Sequence, residues 1–186
     1  MRFLFLCLVT MAACKPPVQE AASNIINIDS LLDAQVKVLA AYGIEKSVSV
    51  GDSVYLTKAN AAVNWGAELE AFREIGLANR PMYGNAYSKS VARDAQSNLQ
   101  IVTWAAKSKV PIKQIELYFL PVENRLKRLV ATINMEDFYL TTNRTLTLDF
   151  SLLGELGRLD SYKISGSQNY FWFEPQKFSV NSIVTP

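Results

Sequence analysis

The sequence predicts an α+β fold, with two N-terminal helices packed on a long, curved antiparallel β-meander. Three observations carry this. Apolar residues recur at helical spacing before residue 76, and the period falls from 3.6 to 2 from Gly84 onward. The alternating segments are also separated by short Gly-, Pro- and Asn-containing connections, which suit antiparallel neighbours.

The elements follow in order. Asp29 or Ser30 opens a first helix, with Asp33 three residues after Ser30 in the manner of a capping box. Leu32, Val36 and Leu39, with Leu31, Val38 and Tyr42, form its apolar face, and Gly43 ends it. Residues 44–50 and 53–58 alternate around Gly51-Asp52 as a hairpin. Asn60 caps a second helix from Ala61 to Ile75, with Trp65, Leu69, Phe72 and Ile75 along one stripe and Gly76 as its stop. Ala78 to Pro81 reads as a loop, because Pro81 restricts Arg80 to extended backbone.

Strands are expected at 84–94, 98–107, 112–120, 125–134, 138–142, 145–150, 159–165 and 169–174, with a further one at 178–184. Ser97-Asn98, Pro111, Pro121 to Asn124, Thr142-Asn143, Gly154 to Gly157, Gly166 and Pro175 punctuate them. Leu129, Ala131 and Ile133 alternate with Val130 and Thr132, and Leu146, Leu148 and Phe150 with Thr145, Thr147 and Asp149. Each strand thus presents one buried face and one wetter face.

The first fourteen residues speak to location. Arg2 precedes an apolar run from Phe3 to Met11, which ends in Ala12-Ala13-Cys14. The run falls short of the ~20 residues that span hydrocarbon. Met11-Ala12-Ala13-Cys14 resembles a bacterial lipobox, in which the cysteine sulfur accepts a diacylglyceryl group and cleavage follows just before it. Residues 1–13 are therefore expected to be a lipoprotein signal peptide, 14–27 a lipidated tether and 28–186 a single domain. Pro16-Pro17 favours extended backbone in the tether, which could hold the domain up to roughly 40 Å from a bilayer. Lys15 after the cysteine, rather than Asp, fits the outer membrane.

Composition removes whole classes of chemistry. The 186 residues contain no histidine and two cysteines, one of them inside the leader. Lipid on Cys14 then leaves no free thiol, so internal disulfides, Cys/His zinc sites, Ser-His-Asp triads and Cys-His dyads are excluded. Lys and Arg (19) nearly balance Asp and Glu (17) without a basic stripe, which gives nucleic-acid binding no electrostatic support. No cofactor or metal is expected. Paired carboxylates, Lys or Tyr bases and a carboxylate-bound hard cation remain as routes to catalysis, and an enzyme is the least supported reading.

Candidate sites are few. Glu68, Glu70 and Glu74 share the second helix with Arg73, near Arg80. Glu70 and Glu74 are i,i+4 neighbours, which read as a solvated face with local Arg pairing. Glu68 is expected to pair with Arg144 or Arg80 across the helix–sheet contact. Glu136-Asp137 reads as a hairpin tip. Tyr170-Phe171-Trp172-Phe173 stands out, since in a strand Tyr170 and Trp172 point one way and Phe171 and Phe173 the other. Both faces are then apolar, and burial of both, one under the helices and one under the curl of the sheet, is the favoured reading; where one pair is exposed, Phe171 and Phe173 are the expected core pair. Tyr170 and Trp172, apolar with a polar tip, are the candidate surface for a ligand, a partner or lipid head groups.

Two sets of residues carry a resemblance. Trp65-Gly-Ala-Glu68-Leu69 with Phe72, then Asn79-Arg80-Pro81, Gly84 and Tyr87, form the first. Phe138-Tyr139-Leu140, Arg144-Thr-Leu146 and Tyr162-Lys-Ile164-Ser-Gly166-Ser-Gln168 form the second. Together they resemble recurrent blocks of a small lipoprotein family of Bacteroidota-type bacteria. The chain departs from that pattern at Gly76-Leu77-Ala78, where the family usually carries Asp-Ile, and at Asn169, where Lys follows Gln. The resemblance implies fold and location and brings no activity. The expected function is a membrane-anchored envelope lipoprotein with a noncatalytic binding or assembly role, its partner an envelope protein. The alternatives are a carrier of a lipid or other apolar ligand in a half-barrel closed by helices, and a carboxylate-based enzyme.

Overall fold

In the computed structural model, the structure describes residues 25–59, 63–151 and 157–186. The leader, Cys14, most of the tether, the expected Asn60 cap and Gly154 lie outside the described residues. Most of the rest is one nine-stranded antiparallel sheet, not closed into a barrel, with few helical residues.

The chain enters through α1 (Ile28–Val38), followed by a 3₁₀ turn (Leu39–Ala41). Its cap is Asn27, two or three residues before the expected start, and the Asn27 carboxamide oxygen accepts from the Ser30 N–H at 3.1 Å. Asp33 therefore closes no capping box with Ser30. With Asp29 it holds Arg73, at 2.6 and 2.9 Å, and so ties α1 to the second helical region.

Strands β1 (Gly43–Val50) and β2 (Ser53–Ala59) form the expected hairpin around Gly51, whose φ of 57° is the left-handed geometry such a turn needs. The second helical region corrects the sequence reading. It begins at Trp65, capped by Asn64, and only α2 (Trp65–Glu68) is α-helical. A ten-residue 3₁₀ segment follows (Glu70–Asn79), long for its kind. Its buried residues are Phe72, Ile75 and Ala78, which with Leu69 just before it are spaced every third residue. That is the stripe a helix of 3.0 residues per turn aligns. Gly76 does not stop it. A Cβ there would lie 3.3 Å from the Ile28 side chain, so the glycine gives α1 room to approach.

After a 3₁₀ turn (Pro81–Tyr83) come β3 (Tyr87–Arg93), β4 (Gln100–Ala106), β5 (Ile112–Leu120), β6 (Arg125–Glu136), β7 (Leu140–Phe150), β8 (Leu159–Tyr170) and β9 (Gln176–Thr185). Two expected turns are absent. Thr142-Asn143 lies inside β7, where Asn143 accepts a side-chain hydrogen bond from Asn134 on β6 at 2.6 Å. Gly166 lies inside β8, where any Cβ would meet the Asn143 carbonyl oxygen. The expected strand at 169–174 is also not formed. Its first two residues end β8, and the chain turns at Phe171.

The sheet order is β2-β1-β9-β8-β7-β6-β5-β4-β3. Strands β3 to β9 are a meander, while the N-terminal hairpin joins its far side by pairing β1 with β9, Ile44 opposite Val184. The core lies over the central strands. Leu129, Ala131, Ile133, Leu146, Leu148 and Phe150 are fully buried or nearly so, as the alternation predicts, and join Leu32, Leu39, Trp65, Phe72 and Ile75 from the helical layer in one cluster. Phe72 meets Tyr162 of β8 edge-on, with ring centroids 5.6 Å apart. A buried glutamine completes this layer. Gln35 of α1 donates to the Gly157 carbonyl at 2.9 Å and accepts from the Leu159 N–H at 2.8 Å. It pairs with the backbone entering β8 much as a neighbouring strand would.

Candidate functional site

Antiparallel pairing brings four connections to one end of the sheet. They are Gly51-Asp52 between β1 and β2, residues 107–111 between β4 and β5, 137–139 between β6 and β7, and 171–175 between β8 and β9. Two of these turns are neighbours, because Leu140 is paired with Tyr170 and the Phe171 N–H donates to the Tyr139 carbonyl at 3.2 Å. Phe138, Tyr139, Tyr170, Phe171, Trp172 and Phe173 thereby meet on one projecting end.

All six are exposed to solvent. Trp172 is 78% accessible, and Phe171 and Phe173 are 72% each. The expectation that Phe171 and Phe173 form a core pair is therefore wrong. They sit on a turn, where strand alternation no longer sorts side chains to opposite faces. Tyr170 and Trp172 are exposed too, against the burial of both faces that the sequence reading favoured. The rings contact one another edge-on: Phe138 with Tyr139 at 4.7 Å, Phe171 with Trp172 at 4.6 Å, and Tyr170 with Phe173 at 6.4 Å. Sequence reasoning missed Phe138 and Tyr139, although Glu136-Asp137 did mark the tip. β6 ends at Glu136, and the Asp137 carboxylate accepts from the Phe138 N–H at 2.7 Å.

An open groove of about 710 Å³ runs beside this cluster, lined by Gly51, Asp52, Tyr170, Phe173, Glu174 and Lys177 among others. Charges at this end are mixed. Lys109 pairs with Glu136 at 2.7 Å and holds that carboxyl below its usual range. Asp52, Asp137, Glu174, Lys107 and Lys177 are exposed nearby.

The helical carboxylates are arranged differently from the expectation. Glu68 pairs with neither Arg144 nor Arg80. It takes Lys46 of β1 at 2.6 Å and accepts from the Tyr162 hydroxyl. Burial, and then that bond to Glu68, push the Tyr162 phenol well above its ordinary value. Arg144 is instead held by Glu74, through Nη1 at 3.3 Å and Nη2 at 2.7 Å. The 3₁₀ segment rises about 2 Å per residue and so carries Glu74, six residues further along, over β7. Glu70 stays outside with Arg73 at 3.3 Å. The three carboxylates thus go to three separate cations, as structural ties rather than as an acid–base pair. Among the described residues, no group of three or more His, Cys, Asp or Glu side chains could hold a metal, and no helix is long and apolar enough to cross a membrane.

No family model matches the chain, and searches of curated proteins and of solved structures gave no match.

Proposed function

We propose that this chain is an envelope lipoprotein, lipidated at Cys14, with a noncatalytic binding or assembly role exercised at the aromatic end of its sheet. The observation that carries the reading is the meeting of six exposed aromatic side chains on two adjacent turns. Monomer surfaces rarely keep contiguous apolar patches of this kind without a contact to make. Leu129, Ile133, Leu146, Phe72 and Ile75 fill the space between helices and sheet, which favours contact at the sheet end over carriage of an apolar ligand inside a half-barrel. The separate pairing of Glu68, Glu70 and Glu74 favours a noncatalytic role.

The lipidated leader, the outer-membrane location and kinship with the small lipoproteins of Bacteroidota-type bacteria belong to the same reading. They rest on Met11-Ala12-Ala13-Cys14 and on the blocks around Trp65, Phe138 and Tyr162. Metabolic labelling tests it. Palmitate should enter the wild-type chain and not Cys14→Ala, which should accumulate as uncleaved precursor. Normal maturation and membrane retention of that variant would refute the anchor. Crosslinking in the native envelope, with extracted lipids analysed from the same sample, then identifies the partner.

A further inference from the structure

We infer that the aromatic end of the sheet is a second membrane contact, with the side chains of 138–139 and 170–173 seated in the interface of the lipid bilayer to which Cys14 is tethered. The inference rests on the lipoprotein reading and names the partner of its surface.

Three observations converge on a bilayer. The first is shape and composition. The aromatics sit on turns at the end of the strands, with Tyr170 and Phe173 also edging the open groove, and they include Tyr139, Tyr170 and Trp172. Side chains with an apolar ring and a polar tip are those that settle at the membrane–water boundary.

The second is the exit point of the tether. The chain is clamped just before α1, where the Asn79 carboxamide accepts from the Ile25 N–H at 2.8 Å and donates to the Ile26 carbonyl at 2.6 Å. Ile25 lies with Asn79, Tyr83, Tyr87 and Trp104 around one small pocket. Tyr87 opens β3 opposite Ala106, the last residue of β4, which is the same end of the sheet as the aromatic turns.

The third is reach. Crossing the sheet from β3 to the β6–β7 and β8–β9 turns takes about 15–30 Å at roughly 4.8 Å per strand. The chain from Cys14 to Ile25 extends to about 35–40 Å. A lipid on Cys14 and the aromatic tips can therefore occupy one membrane surface together. A single lipid anchor leaves the domain free to tumble, and a second apolar contact fixes its orientation. Because Lys107, Lys109 and Lys177 are offset by Asp52, Glu136, Asp137 and Glu174 at this end, the contact is apolar and insensitive to salt.

The test uses the full chain, purified from cells in detergent and reconstituted into phosphatidylcholine vesicles brominated just below the headgroup. Trp fluorescence is compared with that of Trp172→Phe. Trp65 is buried and Trp104 half-buried beneath Lys89, so the difference reports Trp172. That difference signal should fall at least about twofold against unbrominated vesicles, as expected for an indole at the interface, and should persist in high salt. The double variant Phe138→Ser/Phe171→Ser, at two exposed positions, should lose most of the quenching.

An unquenched Trp172, or quenching unaltered in the double variant, overturns the inference. So does a Trp172 that is unquenched in vesicles yet shielded from iodide in native envelopes, which would assign the surface to a protein partner. Palmitate labelling of the same preparation separates the two readings. Labelled but unquenched protein defeats the bilayer contact alone, while quenched but unlabelled protein defeats the lipoprotein reading alone.

Discussion

Gln35→Met tests the helix–sheet junction most directly. The side chain is 1% exposed, and its amide satisfies one backbone acceptor and one backbone donor at the start of β8. Methionine has nearly the same length and volume, so the substitution opens little cavity. It leaves the Gly157 carbonyl and the Leu159 N–H without partners in the interior. An unsatisfied buried polar group costs about 1–3 kcal/mol. Two of them, less the easier burial of a thioether, give a net loss of about 2–4 kcal/mol. Against a total of roughly 5–15 kcal/mol, that is a large fraction. Urea unfolding followed by Trp fluorescence should show a lower midpoint with an unchanged slope, and the melting temperature should fall by about 5–15 °C. A loss below about 0.5 kcal/mol, the range of ordinary surface substitutions, would mean that the glutamine does not hold β8 and that the junction rests on apolar packing alone.

Further expectations follow from the same contacts. Phe72→Ala, at a fully buried ring, should cost about 3–5 kcal/mol, while Glu70→Ala on the exposed side should fall within about 0.5 kcal/mol of wild type; equal small effects in urea melts would undo the packing assigned to the 3₁₀ segment. Phe171→Ala/Phe173→Ala should leave stability within about 1 kcal/mol, since both rings are exposed, and a collapse of that variant would return the pair to the core. Tyr162 has its phenol pKa raised in the fold, so its contribution is complete below the unfolded value of about 10 and is lost as pH rises through the higher folded value. The urea midpoint should thus decline from about pH 10 upward, less steeply for Tyr162→Phe; identical pH profiles would sink that assignment.

Much of the architecture was legible because it is written in local spacing. The alternation of Leu129, Ala131 and Ile133 with Val130 and Thr132 placed β6 and its buried face correctly, as Gly51-Asp52 placed the first hairpin. The shift from α to 3₁₀ was also present in the chain, in the step of four from Trp65 to Leu69 followed by steps of three to Phe72, Ile75 and Ala78. A 3.6-residue template blurs the two. Turn signals misled where tertiary pairing decided otherwise. Asn143 and Gly166 are turn formers in isolation, yet Asn143 is bonded across to Asn134 and Gly166 lies against the Asn143 carbonyl. The aromatic site was half visible. Residues 170–173 were conspicuous, but their exposure depends on β8 ending at Tyr170, and their meeting with Phe138 and Tyr139 depends on the register of β7 against β8. Neither leaves a mark in any short window. Pairings such as Glu74 with Arg144 depend on the helical pitch in the same way.

The partnership of β1 with β9 has a consequence for how the molecule comes into being. Among the described residues, the first hairpin finds its partner strand beyond itself in β9, the last strand in chain order. Bringing them together means closing a loop that contains nearly the whole domain, an entropic cost that local contacts cannot offset in advance. The sheet can therefore zip locally from β3 through β9, while β1 with β2 must wait as an unpaired ribbon until β9 is in place. A chain cut before Gln176 would leave that ribbon, with Val54, Tyr55 and Leu56 already exposed, as a sticky edge with nothing to join. The arrival of β9 becomes the moment at which this sheet is sealed.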